Sequence, residues 1–205
     1  MNKSLFAIAL LAFASPVAYA GGDLMARVDQ LVKESFKPGE GQDLSRLVQD
    51  ESQKVCSEHR NQPPEKLAAA LVEREKGNLK YPADGKLMGD WKEGEKLIKA
   101  GFAYRIGNIE PDDPKKTRGG NCYACHALDK KEVAAGNLGP SLTGYGKMRG
   151  ASEEIVKYTY DKLYNPQSMT ACSNMPRLGH NGVLSPEQIA NIVAYLIAPE
   201  SPVNQ

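Results

Sequence analysis

The stretch Cys122-Tyr123-Ala124-Cys125-His126 governs how the rest of the chain is interpreted. Two thiols three residues apart can reach the two vinyl groups on one edge of a porphyrin, and the histidine that follows then lies under the iron. Cys-x-x-Cys-His is the attachment signature of c-type haem. The motif occurs once, so we expect one covalently attached haem c, bound through Cys122 and Cys125, with His126 as an iron ligand.

Other uses of a Cys-x-x-Cys pair fit the sequence less well. A zinc site would need two more ligands, and the candidates do not form a second paired motif: Cys56, His59, Cys172 and His180. A redox dithiol of the thioredoxin kind would follow a strand in a βαβ unit, and no such unit is predicted. A disulfide within the motif is a further alternative.

The sixth iron ligand must come from elsewhere in the chain, and Met175 is the best candidate. Met175-Pro176 lies in a non-helical stretch just before the last predicted helix. A thioether is a soft, neutral donor that raises the reduction potential of the iron. Four other residues remain open as alternatives or as ordinary packing residues: Met148, Met169, Cys172 and His180.

Two further positions bear on the geometry of the site. A backbone carbonyl at Gly139-Pro140 could accept a hydrogen bond from the second ring nitrogen of His126 and fix the orientation of the ring, although the pair could also be a simple turn. Tyr195 could pack against Gly94, where the missing side chain permits close approach, or could be an ordinary core aromatic residue.

Hydrophobic periodicity predicts helices and no convincing strand, so the predicted fold class is all-α. The last helix is the clearest, because Ser185-Pro186-Glu187-Gln188 combines an N-cap serine, a proline at the first helical position and a glutamine at the capping-box position. Loops are expected at 103–121 and 136–146. Helices are expected at 23–36, from a cap at Asp43 to about 55, and at 65–76, 91–100, 152–164 and 186–198.

The first 20 residues are typical of a signal peptide. Lys3 precedes an apolar run, and Ala18-Tyr19-Ala20 supplies the small-x-small pattern of a cleavage site. We expect cleavage near Ala20-Gly21, with a retained anchor as the alternative. The apolar run is shorter than the ~20 residues that span a bilayer, and no later segment is long and apolar enough. The mature protein is therefore expected in the periplasm, without membrane insertion.

Charge and cysteine content narrow the function further. The chain has 26 Lys and Arg against 25 Asp and Glu, and this balance argues against nucleic acid, which needs a basic face. Two of the four cysteines lie outside the motif. Export to an oxidising compartment permits a disulfide between Cys56 and Cys172, with a free Cys172 thiol as the alternative. Residues 21–89 are expected to form a helical N-terminal extension that packs on the rest of the chain.

The arrangement of these motifs resembles class I cytochromes c. The resemblance covers about residues 90–198 and rests on Gly94, the haem motif, Gly139-Pro140, Met175-Pro176 and Tyr195-Leu196. It implies a cytochrome c domain at 90–205 with the class I fold, in which the first and last helices cross. One departure is a loop of about twenty residues between the first helix and the haem motif.

A closer resemblance is to the SoxX family, the smaller cytochrome subunits of SoxAX complexes of bacterial sulfur oxidation. It rests on five strings: 119–126, 138–146, 172–180, 184–189 and 199–204. The resemblance implies a periplasmic heterodimer with a SoxA-like cytochrome subunit, which carries the catalytic centre. Thiosulfate is joined oxidatively to a cysteine of a SoxYZ-like carrier, and the electrons pass to a soluble cytochrome c.

On this interpretation no residue of the present chain forms or breaks a substrate bond, and His126 and Met175 keep the iron at a high potential. Two other functions remain open. One is an independent electron carrier or a cytochrome subunit of another periplasmic oxidoreductase. The other is a colourless binding module in which the cysteines form disulfides or hold a structural metal.

Overall fold

The computed structural model of the protein describes residues 21–38, 44–101, 113 and 115–205, with backbone alone at 21–23 and 46. The predicted signal peptide at 1–20, the predicted cap Asp43 and most of the loop 103–121 lie outside the described residues. Seven α-helices occur in the described part: α1 (Gly21–Ser35), α2 (Glu51–Glu58), α3 (Glu65–Gly77), α4 (Trp91–Lys99), α5 (Tyr145–Arg149), α6 (Glu153–Tyr164) and α7 (Pro186–Ile197). Shorter 3-10 turns lie at Leu44–Leu47, Cys122–Ala124, Pro166–Ser168 and Pro202–Asn204. No β-strand occurs among the described residues, and the all-α class is confirmed.

The second predicted helix was placed too early. A 3-10 turn occupies 44–47, and α2 begins only at Glu51, because Asp50 rather than Asp43 is its N-cap. The Asp50 side chain accepts a hydrogen bond from the Gln53 backbone N–H at 2.8 Å, and the Gln53 side chain accepts one from the Asp50 N–H at 2.9 Å. This reciprocal pair satisfies two N–H groups at the start of the helix, which fixes where it begins.

The main core is built on the crossing of α4 and α7. These helices make the most extensive helix–helix contact in the described chain. A Cβ at Gly94 would overlap the Asn191 carbonyl oxygen and lie 3.0 Å from the Tyr195 Cβ. Glycine is therefore what lets the two backbones approach at this point. The predicted contact between Gly94 and Tyr195 is confirmed, as is the crossing of the two helices.

The carboxyl-terminal tail is fastened to the core by Asn204, which is fully buried. Its Nδ2 donates to the carbonyl oxygens of Leu196 and Ala198, at 3.0 and 2.9 Å, where α7 ends. Its Oδ1 accepts from the Gly146 N–H at 2.8 Å. One side chain thus joins the end of α7 to the start of α5, and the Gly/Pro-rich loop predicted at 136–146 ends in that helix.

The extension helices α2 and α3 are attached to the remainder of the chain. Cys56 on α2 forms a disulfide with Cys172, and the two sulfur atoms lie in a small apolar cluster with Val55 and Leu71. Helix α3 packs against the 3-10 turn that follows α6. The predicted disulfide is confirmed, and it joins the extension to the loop between α6 and α7.

Residues 38–205 form one compact unit, and α1 belongs to a separate unit that ends at Lys37. Helix α1 is amphipathic, and its apolar side chains Leu24, Val28 and Leu31 are exposed. The division between residues 89 and 90 stays a prediction. Among the described helices, none has both the length and the apolar character needed to cross a membrane.

Candidate haem site

The haem motif folds as a single turn. Residues Cys122–Ala124 form a 3-10 turn, and the N–H groups of Cys125 and His126 both donate to the Cys122 carbonyl, at 3.1 and 2.9 Å. Side chains three residues apart eclipse each other in a 3-10 turn, so the sulfur atoms of Cys122 and Cys125 lie on the same side of it. Both are free thiols, which leaves them available to bond to one ligand.

Helix α4 positions this turn although the two are separated in sequence. The Gly120 N–H donates to the Leu97 carbonyl at 2.9 Å, and the Asn121 N–H donates to the Ala100 carbonyl at 2.9 Å. These carbonyls, in the last turn and at the C-cap of the helix, have no partner inside it. The chain therefore leaves α4 near Gly101 and returns to its end before the motif. The first helix and the motif are therefore in contact, although a long loop separates them in sequence.

His126 is oriented by the loop that contains Gly139 and Pro140. Its Nδ1 lies 2.7 Å from the Pro140 carbonyl oxygen. Because a carbonyl can only accept, Nδ1 carries the proton and Nε2 retains its lone pair for a metal. A Cβ at Gly139 would overlap the His126 ring, so only glycine lets the loop lie this close. The predicted role of the Pro140 carbonyl is confirmed.

The protonation of Cys122 distinguishes between uses of the motif. Burial raises the pKa of the Cys122 thiol to about 11. Catalytic dithiols of the thioredoxin kind have a pKa lowered to roughly 7, the opposite shift. The described residues also contain no group of three or more His, Cys, Asp or Glu side chains that could hold a metal ion. The raised pKa of the Cys122 thiol therefore does not favour the redox-dithiol interpretation of the motif.

Met175 lies in the loop between α6 and α7, which we call the ligand loop (residues 169–185). Its side chain is partly buried against the main core, as is that of Cys122. Further along the loop, Leu178 approaches the motif: a Cβ at Gly120 would lie 3.0 Å from Leu178 Cδ1 and 3.2 Å from Cys122 Sγ. The ligand loop therefore runs beside the haem motif, and Met175 stays the predicted sixth ligand.

Three of the four competing ligands are engaged or exposed, and Met169 stays open as an alternative. Cys172 is in the disulfide and offers no thiolate. The ring nitrogens of His180 face charged groups, with Nε2 3.3 Å from Arg177 Nη1 and Nδ1 3.8 Å from Glu75 Oε2. Met148 is 69 % exposed. Met169, which lies at the start of the ligand loop, is partly buried.

A buried polar cluster joins the ligand loop to the extension, and sequence reasoning missed it. Arg177, 5 % exposed, donates from Nη2 to Asp50 Oδ2 at 2.5 Å, and its Nη1 lies 3.5 Å from Glu75 Oε2. Glu75, 2 % exposed, also accepts from Ser52 and from Asn165 Nδ2, the latter at 2.7 Å. The one sequence signal was that Glu75 stands four residues after Leu71, on the buried side of α3.

The ionisation of this cluster follows from its contacts. Burial alone would raise the pKa of Glu75, but hydrogen bonds from Ser52 and Asn165 and the charge of Arg177 outweigh it, so the pKa lies below its usual 4.5. Asp50 behaves in the same way, with burial outweighed by the Gln53 N–H and by Arg177. Both carboxylates are therefore charged at neutral pH. Burial and the nearby Arg177 lower the pKa of His180 below 6.5.

A cleft of about 940 Å³ lies on another side of the ligand loop. Its walls include Gly179 and His180, the start of α7 and the basic residues Lys80 and Lys115. None of the four predicted haem-site residues, all of which are described, lines it. The cleft is therefore distinct from the candidate haem site.

Together, the described residues fit a covalently bound haem c. The two thiols share one side of a turn, the second ring nitrogen of the neighbouring histidine is available, and glycine leaves space against its ring. Cys122 and Cys125 would hold the porphyrin, and His126 would bind the iron.

Comparison with known proteins agrees with this geometry. The family model for cytochrome c matches residues 114–198. An uncharacterized lipoprotein of Aquifex aeolicus (strain VF5) is 45 % identical over 159 residues, which are 77 % of this chain and 74 % of that protein. Residues 114–198 therefore carry a cytochrome c domain, the kind of domain with which electron-transfer proteins bind haem c.

Proposed function

We propose that the chain is the monohaem SoxX-type subunit of a periplasmic thiosulfate-oxidising SoxAX complex. The observation that carries the proposal is the joint resemblance of the haem motif, the ligand loop and the carboxyl-terminal tail to that family. These stretches are widely separated in sequence, so a chance match at all of them is improbable. Each also makes a specific contact in the structure: the motif with Gly139, the ligand loop with Gly120, and the tail with Gly146.

The residues have defined roles under this proposal. Cys122 and Cys125 form thioether bonds to one haem c, which supplies a one-electron iron couple when bound. His126 is the proximal ligand, held by the Pro140 carbonyl in the tautomer that binds through Nε2. Met175 is the sixth ligand, and a neutral thioether in that position favours the ferrous state and raises the potential.

The reaction served by the complex makes two electrons available in each turnover. A cysteine thiol of the SoxYZ-like carrier and thiosulfate are joined by a new sulfur–sulfur bond, with release of one proton and two electrons. The bond chemistry belongs to the SoxA-like subunit of the heterodimer. The present chain takes the electrons singly and passes them to a soluble cytochrome c, so each turnover needs two transfers.

A periplasmic location is supported by three observations. The first 20 residues are typical of a signal peptide. The Cys56–Cys172 disulfide is of a kind that persists in oxidising compartments and is rare in the cytosol. The relative from Aquifex aeolicus is described as a lipoprotein, a class of protein that is exported.

Affinity purification of the tagged protein from the periplasm of its own cells, grown on thiosulfate, tests the proposal. Haem staining and mass identification of the co-purifying proteins are the readouts, and cells grown without thiosulfate are the control. We expect a second haem protein in a stoichiometric amount. A red protein recovered alone would contradict the SoxAX assignment and favour an independent electron carrier.

A further inference from the structure

The ligand loop is attached to the extension on both sides of Met175. On one side, Cys172 is bonded to Cys56 of α2. On the other side, the side chain of Arg177 is buried between two carboxylates of the extension, those of Asp50 and Glu75. The residue predicted to bind the iron therefore lies between two attachment points, which we call anchors: the disulfide and the ion pairs of Arg177. In both anchors the partner residues belong to the extension, outside the class I cytochrome core.

The local hydrogen bonds of the loop do not fix Met175 by themselves. Its backbone N–H donates to Ser173 Oγ at 3.3 Å, a contact within the same loop. Arg177 is held better, because its carbonyl accepts from the Asn181 N–H at 2.9 Å and the following Gly179 N–H donates to the Tyr164 carbonyl at 3.1 Å. Besides its packing against the main core, the position of Met175 is set by the residues on either side of it, and the extension contacts both of them.

Glu75 is at the centre of the second anchor. One carboxylate oxygen accepts from Ser52 of α2, and the other accepts from Asn165 at the end of α6 and faces Arg177. The carboxylate therefore joins four segments that are distant in sequence. A charge buried to this extent requires compensation by partners of opposite charge, so removal of the Glu75 charge leaves Arg177 poorly compensated and frees the ligand loop to move.

We propose that Glu75 is a positioning residue for the sixth iron ligand, acting through Arg177 to hold the ligand loop so that Met175 stays on the iron. The inference rests on the proposed role of Met175 as ligand and is independent of the assignment to a SoxAX complex. It gives the N-terminal extension a function in this cytochrome: it keeps the loop closed and thereby sets the ligation and the potential of the iron.

Imidazole binding to the ferric holoprotein measures how often the loop opens, because an added ligand must displace Met175. The apparent affinity of such a ligand scales with the populated fraction of the open state. Glu75→Gln preserves the size of the side chain and removes its charge, and we expect it to raise the open fraction about tenfold. Imidazole should then bind about tenfold more tightly than to the wild type. The absorption band of the methionine–ferric iron bond should weaken, and the reduction potential should fall.

Glu73→Gln is the matched control. Glu73 is two residues away on the same helix, is 71 % exposed, and makes a surface ion pair with Lys76. We expect its imidazole affinity and potential to equal those of the wild type. If Glu75→Gln fails to fold, Asp50→Asn replaces it, because asparagine also caps a helix while removing the other carboxylate on Arg177.

Three outcomes would overturn the inference. The first is a wild-type spectrum without methionine ligation. The second is an imidazole affinity of Glu75→Gln, or of its substitute Asp50→Asn, equal to that of Glu73→Gln. The third is a loss of unfolding stability in the variant with no change in potential or in the methionine band, which would show a structural role alone. None of these three outcomes depends on whether a SoxA-like partner co-purifies with the protein. The proposed function can therefore be refuted while the role of Glu75 stands, and the reverse is also possible.

Discussion

The disulfide offers the most quantitative prediction, which concerns the double substitution Cys56→Ser, Cys172→Ser. The cross-link joins residues separated by 116 positions. In the chain-entropy model, releasing a loop of that length costs about 5 kcal/mol, and removal of native disulfides typically costs about 2–5 kcal/mol. Both sulfur atoms are also buried in an apolar cluster with Val55 and Leu71, where a serine hydroxyl is less favourable. We therefore expect a loss of about 4 kcal/mol, a large share of a typical stability of roughly 5–15 kcal/mol.

Urea unfolding of the holoprotein, followed by far-ultraviolet circular dichroism, measures this loss. With a slope of about 2 kcal/mol per molar urea, the midpoint should fall by about 2 M. The variant should remain red, because we expect the haem to be attached through the other two cysteines. Lys54→Ser, an exposed change on the same helix, serves as the control and should leave the midpoint unchanged. A double variant that unfolds at the wild-type midpoint would refute the reasoning.

Four further predictions concern the site and its supports. Met175→His should keep the haem and lower the reduction potential in a spectroelectrochemical titration, and an unchanged potential would show that the sixth ligand is another residue. In Gly139→Ala, the added methyl group should displace the His126 ring and lower the stability by about 1–3 kcal/mol. The His126 signal in the NMR spectrum of the paramagnetic protein should change as well. A wild-type signal and stability would contradict the close approach of Gly139 to the His126 ring. Asn204→Ala should cost about 3 kcal/mol in thermal unfolding, because it leaves buried backbone groups without partners, and a loss below about 1 kcal/mol would be inconsistent with that role. The pKa of His180 is lowered in the folded protein, so as the pH falls the unfolded chain binds the proton first, and the free energy of unfolding should decrease below pH 6.5. His180→Asn should remove part of that decrease in urea titrations at several pH values. An unaltered pH profile in this variant would contradict the prediction.

The parts of the site that depend on local pattern were predictable from sequence. The haem motif is a short string whose spacing alone places both thiols on one side. The last helix begins as the Ser185–Gln188 pattern predicts, with a reciprocal pair of hydrogen bonds at 3.2 and 2.9 Å. The contact of Gly94 with Tyr195 is predictable once the first and last helices are known to cross. The hydrogen bond between His126 and the Pro140 carbonyl is predictable from the position of Gly139-Pro140 shortly after the motif.

The predicted start of the second helix was wrong for a specific physical reason. Asp43 and Asp50 are both suitable N-cap residues, and apolar residues at 44, 47 and 48 extend the stripe of α2 toward the first of them. Only Asp50 is followed at the capping-box position by a residue that bonds back, Gln53. The two hydrogen bonds between Asp50 and Gln53 make Asp50 the cap that is used. The periodicity of apolar residues carries no information about these bonds.

The buried cluster around Glu75 could not be predicted, because its partners are far apart in sequence. Asp50 and Arg177 are 127 positions apart, and Glu75 and Asn165 are 90 apart. Pattern rules operate within a few residues, and charged residues are by default assigned to the surface. Only the packing of α2 and α3 against the ligand loop brings these groups together, and the same packing gives the extension its proposed role.

The central claim is that this chain carries one haem c, attached at Cys122 and Cys125. Intact mass spectrometry of the protein from its own cells, denatured and reduced, measures this directly, with fragmentation to locate the attachment. The account predicts a mass greater than that of the mature polypeptide by one haem, with the addition located on the Cys122–His126 peptide. A mass equal to that of the polypeptide alone, or an addition at any other cysteine, would contradict it.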